Sequence, residues 1–513
     1  MGARAHSGLN GHAVWHPKRF WLISYHTCKG TTMADQVAAQ NSTFDLIVIG
    51  GGPAGYVGAI RAAQLGMSAA CVERDKLGGV CLNWGCIPTK ALLAAADFYH
   101  KLKHDSAQWG IHADNIRHDW TAVIGRSRNV SGNLNKGIAG LFKKNKITHI
   151  QGHARITAAK TGQVTVEIHD SPGHVAQTLT AKRVLVATGA QPRGLPGVEF
   201  DGDKIITSKE AMSLPTQPAK LLIVGSGAIG MEFACFYNAF GTKVTVIEML
   251  DRVLPNEDAE VSAVVAKSFT KQGIELLTAT KTLAVKKTGT GVELTIAPVS
   301  DPAKTQVLSA DKVLIAIGVK GRYDGLFDEK LGLETFKDHI KVDKKTYQTN
   351  LPGVYAVGDV IGPPWLAHVA SEEAVAAVEL MAGHHAHAID YDAIPGCTYC
   401  HPQVASIGLT EAKAKEQNIA VKVGKFPLLA LGKAQALGST EGFVKLVTGA
   451  KHGEILGVHM VGENVTDLLA EMGLAMKLEA TAEEIIATMH AHPTMSEALH
   501  EAALGSQGKM IHF

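Results

Sequence analysis

Apolar and polar residues fall along this chain in short blocks that read as alternating strands and helices. Phe44-Asp45-Leu46-Ile47-Val48-Ile49 is nearly continuous in apolar residues, the mark of a parallel strand covered on both faces. A helical pattern over Tyr56–Leu65 follows, with Gly66 able to cap it, and then a second strand, Ala69–Val72, ending at Glu73. Helical patterns run from Lys76 to about Thr148. Residues 153–183 alternate instead, as in Val164-Thr165-Val166-Glu167-Ile168, which predicts antiparallel strands. Arg183–Ala190 is a further buried strand ending in a small-residue turn. The opening arrangement then recurs. Leu221–Val224 leads into a helix carrying Glu232 and closed by Gly241, and Val244–Ile247 ends at Glu248. Lys312–Gly318 closes this inserted unit. Gly353–Asp359 is a strand that delivers an acid, and a helix is expected over Ala367–Met381. From Tyr391 the texture becomes that of an α+β domain.

The turns between these elements carry chemistry. Gly50, Gly52 and Gly55 fall between a strand and a helix, and Glu73 ends the next strand. Glycines at this spacing allow a tight turn (Gly50), backbone approach to a pyrophosphate (Gly52) and close packing of helix on strand (Gly55). The phosphates then meet the free N–H groups of a helix N-terminus. Gly225, Gly227, Gly230 and Glu248 repeat the pattern about 175 residues later. An acid after the second strand accepts ribose hydroxyls and repels a 2′-phosphate, so NAD is expected there rather than NADP, with the nearby Arg252 as the opposing signal. Two dinucleotide sites in one chain suggest a flavin and a nicotinamide exchanging hydride.

Composition narrows the reading. A chain of 513 residues with 46% apolar and 19% charged residues implies several α/β domains. The net charge of +2 implies no nucleic-acid partner. The apolar stretch Leu221–Gly241 is explained by the glycine pattern, so no membrane span is expected. Residues 1–42 read as an extension, a transit peptide being the alternative. Seven cysteines, sparse and odd in number, do not form a secreted disulfide framework. They suit a reducing compartment, the cytoplasm or, for a eukaryotic source, the mitochondrial matrix. Cys397-Thr398-Tyr399-Cys400-His401 matches a haem-attachment pattern but is read as strand, with the two cysteines facing opposite ways. His384, His385 and His387 lack a spaced acid or Cys partner, and no metal is expected.

The stretch Gly78–Lys90 holds Cys81 and Cys86, with four residues between them, in a span whose Gly85 permits the two to meet. Alone they could be two buried thiols. Beside a dinucleotide site they become a candidate redox pair, which needs a base to generate thiolate. His492 with Glu497 is a candidate, although spacing does not place it near Cys86.

From about Phe44 to the C-terminus the chain resembles the flavoprotein disulfide reductases, and among them the dihydrolipoyl dehydrogenases. Gly78–Lys90, Tyr355–Asp359 and His490–Glu497 carry the likeness. The resemblance implies two Rossmann-like dinucleotide-binding domains, one inserted in the other, plus a C-terminal α+β dimerisation domain. The expected domains are 43–190 for FAD, 191–318 for NAD, 319–388 completing the FAD site, and 389–513 as interface. Gly50, Gly52, Gly55, Glu73, Thr188, Gly189 and Asp359 would hold FAD, with Ala367 and His368 beside its ring system. Lys90 would sit at the flavin, paired with Glu232. Gly225, Gly227, Gly230, Glu248 and Gly318 would form the NAD site. Cys81 would exchange with substrate and Cys86 would face the flavin. His492, oriented by Glu497, would act as base from the other subunit of a homodimer. The implied reaction oxidises dihydrolipoyl groups on the acyltransferase of a 2-oxo acid dehydrogenase complex and reduces NAD⁺. Trp84 stands where many relatives carry a smaller residue. The alternatives are another NAD(P)-dependent flavin disulfide reductase, or a redox-silent assembly or moonlighting binding protein.

Overall fold

The computed structural model describes residues 43–513; the expected extension over 1–42 lies outside the described residues. The first apolar run forms β1 (Thr43–Ile49). The helix after it, α1 (Pro53–Gln64), begins three residues before the expected Tyr56. Pro53 takes its first position, where a fixed φ is favourable and the missing N–H is no loss. Next comes β2 (Ala69–Glu73), buried throughout. The cysteine stretch is helical on both sides of Gly85: Cys81 lies inside α2 (Gly79–Trp84), and Cys86 opens α3 (Cys86–His100). The Pro88-Thr89-Lys90 segment therefore lies inside α3, at its third to fifth positions. A long helix, α4 (Trp120–Lys144), is capped by Asp119, whose side chain accepts from the Ala122 N–H.

The strands β3 (Thr148–Gln151), β4 (His153–Lys160), β5 (Gln163–Ser171) and β6 (His174–Val186) complete a sheet ordered β3-β2-β1-β6-β5-β4. The pairs among β3, β2, β1 and β6 are parallel, whereas β4, β5 and β6 pair antiparallel. β6 joins the two regimes. Its pairing with β5 ends at Ala181, and the Val354–Ala356 strand then runs parallel to Val184–Val186. The Gly353–Asp359 segment is thus strand only as far as Ala356, and Asp359 lies in the short helical turn Gly358–Ile361 that follows. Gly50, Glu73, Ala187 and Asp359 all gather at the carboxyl ends of parallel strands, where open α/β sheets bind ligands.

A second parallel sheet takes Glu275–Leu277, Lys243–Ile247, Lys220–Val224, Lys312–Ile315 and Ile205–Ile206 in that order, with a three-stranded antiparallel sheet beside it in sequence (Thr280–Lys287, Val292–Pro298, Gln306–Ala310). The C-terminal part is a five-stranded antiparallel sheet with helices, as its α+β texture predicts. Cys397 is on its Gly396–Thr398 strand, but Cys400 lies past that strand's end. The two cysteines therefore do not face opposite ways on one strand; the strand stops at Thr398 and a bend carries Cys400 into the core.

One apolar core surrounds the first sheet. Another is shared: Leu92, Leu93 and Ala96 of α3 pack with Phe233, Phe236 and Tyr237 of the Ala228–Ala239 helix and with Val404 and Val461 of the C-terminal sheet. Burying a side chain of this size stabilises by about 1.5–3 kcal/mol. That common core holds α3, and with it Cys86 and Lys90, in a fixed relation to Glu232.

Candidate active site

The two glycine loops have the same geometry. Gly50 has φ +104° and Gly225 has φ +103°, and a Cβ on either would lie 2.3 or 2.4 Å from a carbonyl oxygen, of Ala187 or Ala316. A Cβ on Gly55 would meet the Gly50 oxygen at 1.7 Å, and one on Gly230 the Gly225 oxygen at 2.0 Å. The acids match as well. Glu73 accepts from the N–H groups of Gly51 (2.7 Å) and Asp75 (2.8 Å). Glu248 accepts from Ser226 N–H (2.8 Å), Ser226 Oγ (2.9 Å) and Leu250 N–H (2.8 Å). Backbone donors thus fix each carboxylate beside its own loop. Gly79, not singled out by the sequence, closes the first loop: at φ +54°, its Cβ would lie 2.6 Å from Gly52 Cα. The Gly78-Gly79 doublet was the available signal.

Both loops open onto one cavity of about 1590 Å³, which also receives Cys81, Cys86, Lys90, Glu232, Asp359 and Gly318. Its size suits two dinucleotides. The residues present fit them. Gly52 and Gly227 precede helices that have no side-chain cap, so first-turn N–H groups remain for phosphate. A Cβ at Gly227 would meet nothing within 4 Å, leaving room for a ligand against the backbone. Asp359 is half-buried, and desolvation, with Glu373 nearby, raises its pKa to about 6. Among the described residues its carboxylate has no side-chain hydrogen-bond partner, so ligand hydroxyls could satisfy it. Thr188 donates through Oγ1 to the Arg322 carbonyl at 2.5 Å, and the Arg322 N–H donates to Gly189 O at 2.9 Å, closing this end of the site. Ala367 reaches the cavity, and His368 is the next residue along. Its ring does not line the cavity, and its Nε2 pairs with the Pro395 carbonyl at 2.9 Å. As the second residue of the Ala367–Met381 helix it faces away while Ala367 faces in. Arg252 is likewise turned away, toward Asp251 (3.6 Å) and the Pro255 carbonyl (3.3 Å).

Cys81 and Cys86 are free thiols on either side of Gly85. The Cys81 side chain lowers the Cys86 pKa, Lys90 lowers it further, and burial opposes both. Cys86 also begins a 15-residue helix, whose N-terminus favours an anion. Cys81 moves the other way, raised by Cys86 and by burial. The pair is therefore polarised, with Cys86 the more acidic thiol. Lys90 is held by Glu232 through both oxygens, at 2.8 and 2.9 Å. Tyr399, which the sequence did not flag, donates its N–H to Glu232 Oε1 at 3.0 Å and puts its ring 4.5 Å from the Lys90 ammonium. Trp84 shapes the loop as a cation platform, with Lys209, Arg128 and Lys76 at 4.7, 5.4 and 5.5 Å from its ring centre.

His492 and Glu497 form a pair, Nδ1 to Oε1 at 2.8 Å, and the Thr494 N–H donates to the second carboxylate oxygen at 2.8 Å. Burial works against the Glu497 charge, but Thr494 and His492 outweigh it and the pKa falls. The His492 side chain is 76% exposed and lies outside the cavity that holds Cys81 and Cys86. The structure thus joins His492 to Glu497 but does not bring either to the cysteines of the same chain.

Comparison with known proteins gives consistent results. Residues 44–374 match the pyridine nucleotide-disulphide oxidoreductase family, and residues 394–503 match its dimerisation domain. The dihydrolipoyl dehydrogenase of Rhizobium etli is 46% identical, aligned over 91% of this chain and 99% of that protein. That of Bacillus subtilis is 43% identical over 92% and 99%. Among solved structures, LpdA of Mycobacterium tuberculosis superimposes with a TM-score of 0.82 at 27% identity, covering 89% of this chain and 98% of that one.

Proposed function

The chain belongs to the pyridine nucleotide-disulphide oxidoreductases, and on that premise we propose that it is an NAD-dependent dihydrolipoyl dehydrogenase. The observation that carries the reading is the polarised Cys81–Cys86 pair, set in one cavity with two glycine loops and with the Lys90–Glu232 ion pair. The net reaction is dihydrolipoyl group + NAD⁺ → lipoyl group + NADH + H⁺. FAD, held by Gly50, Gly52, Gly55, Glu73 and Asp359, supplies the two-electron relay between the dithiol and NAD⁺.

The chain's own residues set up the thiol chemistry. In the oxidised enzyme Cys81 and Cys86 form a disulfide. His492 of a second copy takes the proton from one substrate thiol, and Glu497 orients its ring and stabilises its charge. The substrate thiolate attacks Cys81 Sγ, the Cys81–Cys86 bond breaks, and Cys86 leaves as a thiolate favoured by the α3 N-terminus and Lys90. The second substrate thiol, giving its proton to His492 as His492 delivers the first to Cys81, then attacks the first substrate sulfur and releases the lipoyl disulfide. Cys81 departs as a thiol on receiving a proton from His492. Glu248 selects NAD⁺, and Arg252, four residues on, is engaged elsewhere.

The dimerisation domain supports a homodimer. Leu474, Leu478 and Met489 on it are 62, 71 and 96% exposed, a large apolar outlay for a monomer and one that a second copy would cover. We assign the substrate's carrier to a lipoyl domain of a 2-oxo acid dehydrogenase acyltransferase. No helix among the described residues is long and apolar enough to cross a membrane.

Anaerobic titration with dihydrolipoamide tests the reading. It should produce a long-wavelength thiolate absorption band in the holoenzyme that Cys86→Ser abolishes. Failure to form NADH from dihydrolipoamide and NAD⁺ would sink it.

A further inference from the structure

Lys445 lies on the Phe443–Gly449 strand, second from one edge of the C-terminal sheet, with a side chain only 3% exposed. Its ammonium meets three carboxylates: Asp258 at 3.0 Å, Glu260 at 2.9 Å and Glu411 at 2.9 Å. A buried cation is tolerated only with such partners. Two of the three belong to the second dinucleotide-binding unit. Asp258 is the N-cap of the Ala259–Lys271 helix and accepts from the Glu260 N–H at 3.0 Å. Glu260 is bound as well by Lys425 from the C-terminal sheet.

Asp258 also ends the segment that leaves Glu248. Met249, Leu250 and Asn256 of that segment line the cavity. Within it, the Leu254 N–H donates to Ser226 O at 3.0 Å, tying it to the glycine loop, and Ser262 Oγ donates to the Leu254 carbonyl at 3.2 Å. One end of the segment is thus fixed by Glu248, the middle by Ser226, and the far end by a lysine from another domain. Ion pairs that cross a packed boundary fix position more than they add stability, because apolar residues would join the two surfaces at lower desolvation cost.

We propose that Lys445 is a positioning residue for the second dinucleotide site. Through Asp258 and Glu260 it holds residues 249–258 in the conformation that accepts the adenosine half of NAD⁺. The inference rests on the reading that this site takes NAD⁺.

Two variants test it in the intact holoenzyme. Asp258→Asn removes the charge but keeps a good N-cap, and Lys445→Gln removes the cation. The NADH dissociation constant and the KM for NAD⁺ should rise about tenfold in both, with Lys445→Arg recovering most of the loss. Reduction of the enzyme by dihydrolipoamide without NAD⁺ should stay within about twofold of wild type. Amide hydrogen exchange should quicken in residues 249–258 and stay unchanged in residues 50–55. Asp258→Asn decides the matter if Lys445→Gln does not fold. NADH binding within about twofold of wild type in Asp258→Asn, or an equal loss in the dithiol half-reaction, would overturn the proposal. A wild-type enzyme that binds no NADH would instead remove the NAD⁺ reading beneath it.

Discussion

Asp359 shows how one residue can trade stability for binding. Its carboxyl has a pKa near 6 in the folded chain, against 3.8 ordinarily, because desolvation and then Glu373 disfavour the charge. For an acid raised in this way, folding favours the protonated form. Below pH 4 both states are protonated and nothing is lost; between about pH 4 and 6 the unfolded chain ionises first and stability falls; above that the penalty is constant, roughly 2–3 kcal/mol. Asp359→Asn should therefore make the FAD-free protein more stable at pH 8 and weaken FAD binding, by thermal unfolding and by flavin-fluorescence titration. Equal melting temperatures at pH 8 would count against the desolvated charge. The glycines supply a second residue-scale contrast. Gly230→Ala puts a methyl 2.0 Å from the Gly225 oxygen and must distort the loop, whereas Gly227→Ala meets nothing within 4 Å. Gly227→Ala should fold with an unchanged melting temperature yet show a KM for NAD⁺ raised about tenfold or more, and Gly230→Ala should lose stability as well.

At the scale of the element, α3 links the thiols to the rest of the site. Its N-terminus carries Cys86, its fifth residue is Lys90, and Leu92, Leu93 and Ala96 on its buried side key it into the core shared with Glu232's helix. Lys90→Met should move the appearance of the Cys86 thiolate to higher pH, followed by ultraviolet thiolate absorbance of the reduced enzyme. An unmoved midpoint would mean that Cys81 and the helix end suffice. Trp84 closes α2 and gathers three cations, from two helices and a loop. At about 0.5–1 kcal/mol for each exposed contact, Trp84→Leu should lower stability by roughly 1–3 kcal/mol in denaturant unfolding, with thiol turnover retained. A stability unchanged from wild type would leave the platform without energetic weight.

At the scale of the molecule, the proposed reaction calls on residues that one chain does not bring together. His492 and Glu497 make a well-formed pair outside the cavity of their own chain. If two copies each complete the other's site, Cys86→Ser and His492→Gln homodimers are both inactive, but a hybrid dimer holds one intact site. Unfolding and refolding an equal mixture should give half hybrids and so restore about a quarter of wild-type activity. No recovery, with hybrids verified, would place His492 in the site of its own chain. The lysine of the C-terminal sheet acts in the same sense within one chain, reaching from the interface domain to the dinucleotide loop.

Local patterns were legible in the sequence because they depend on local physics. A both-faces-buried strand must be apolar throughout, a turn with φ above +100° must be glycine, and an acid must follow it to take ribose hydroxyls. Hence Gly50, Gly52, Gly55 and Glu73, and their second set, could be read directly, as could the Ala367–Met381 helix. Helix onsets were less legible: Pro53 and Cys86 begin helices that periodicity placed later or left open, since a first turn buries too few residues to show a period. What only the tertiary structure decided were encounters between distant segments. Tyr399 beneath Lys90, Lys445 against Asp258, the His368 ring turned to Pro395, and the polarity of the two thiols all follow from how sheets and helices pack. Packing brings together groups whose separation along the chain carries no trace of it.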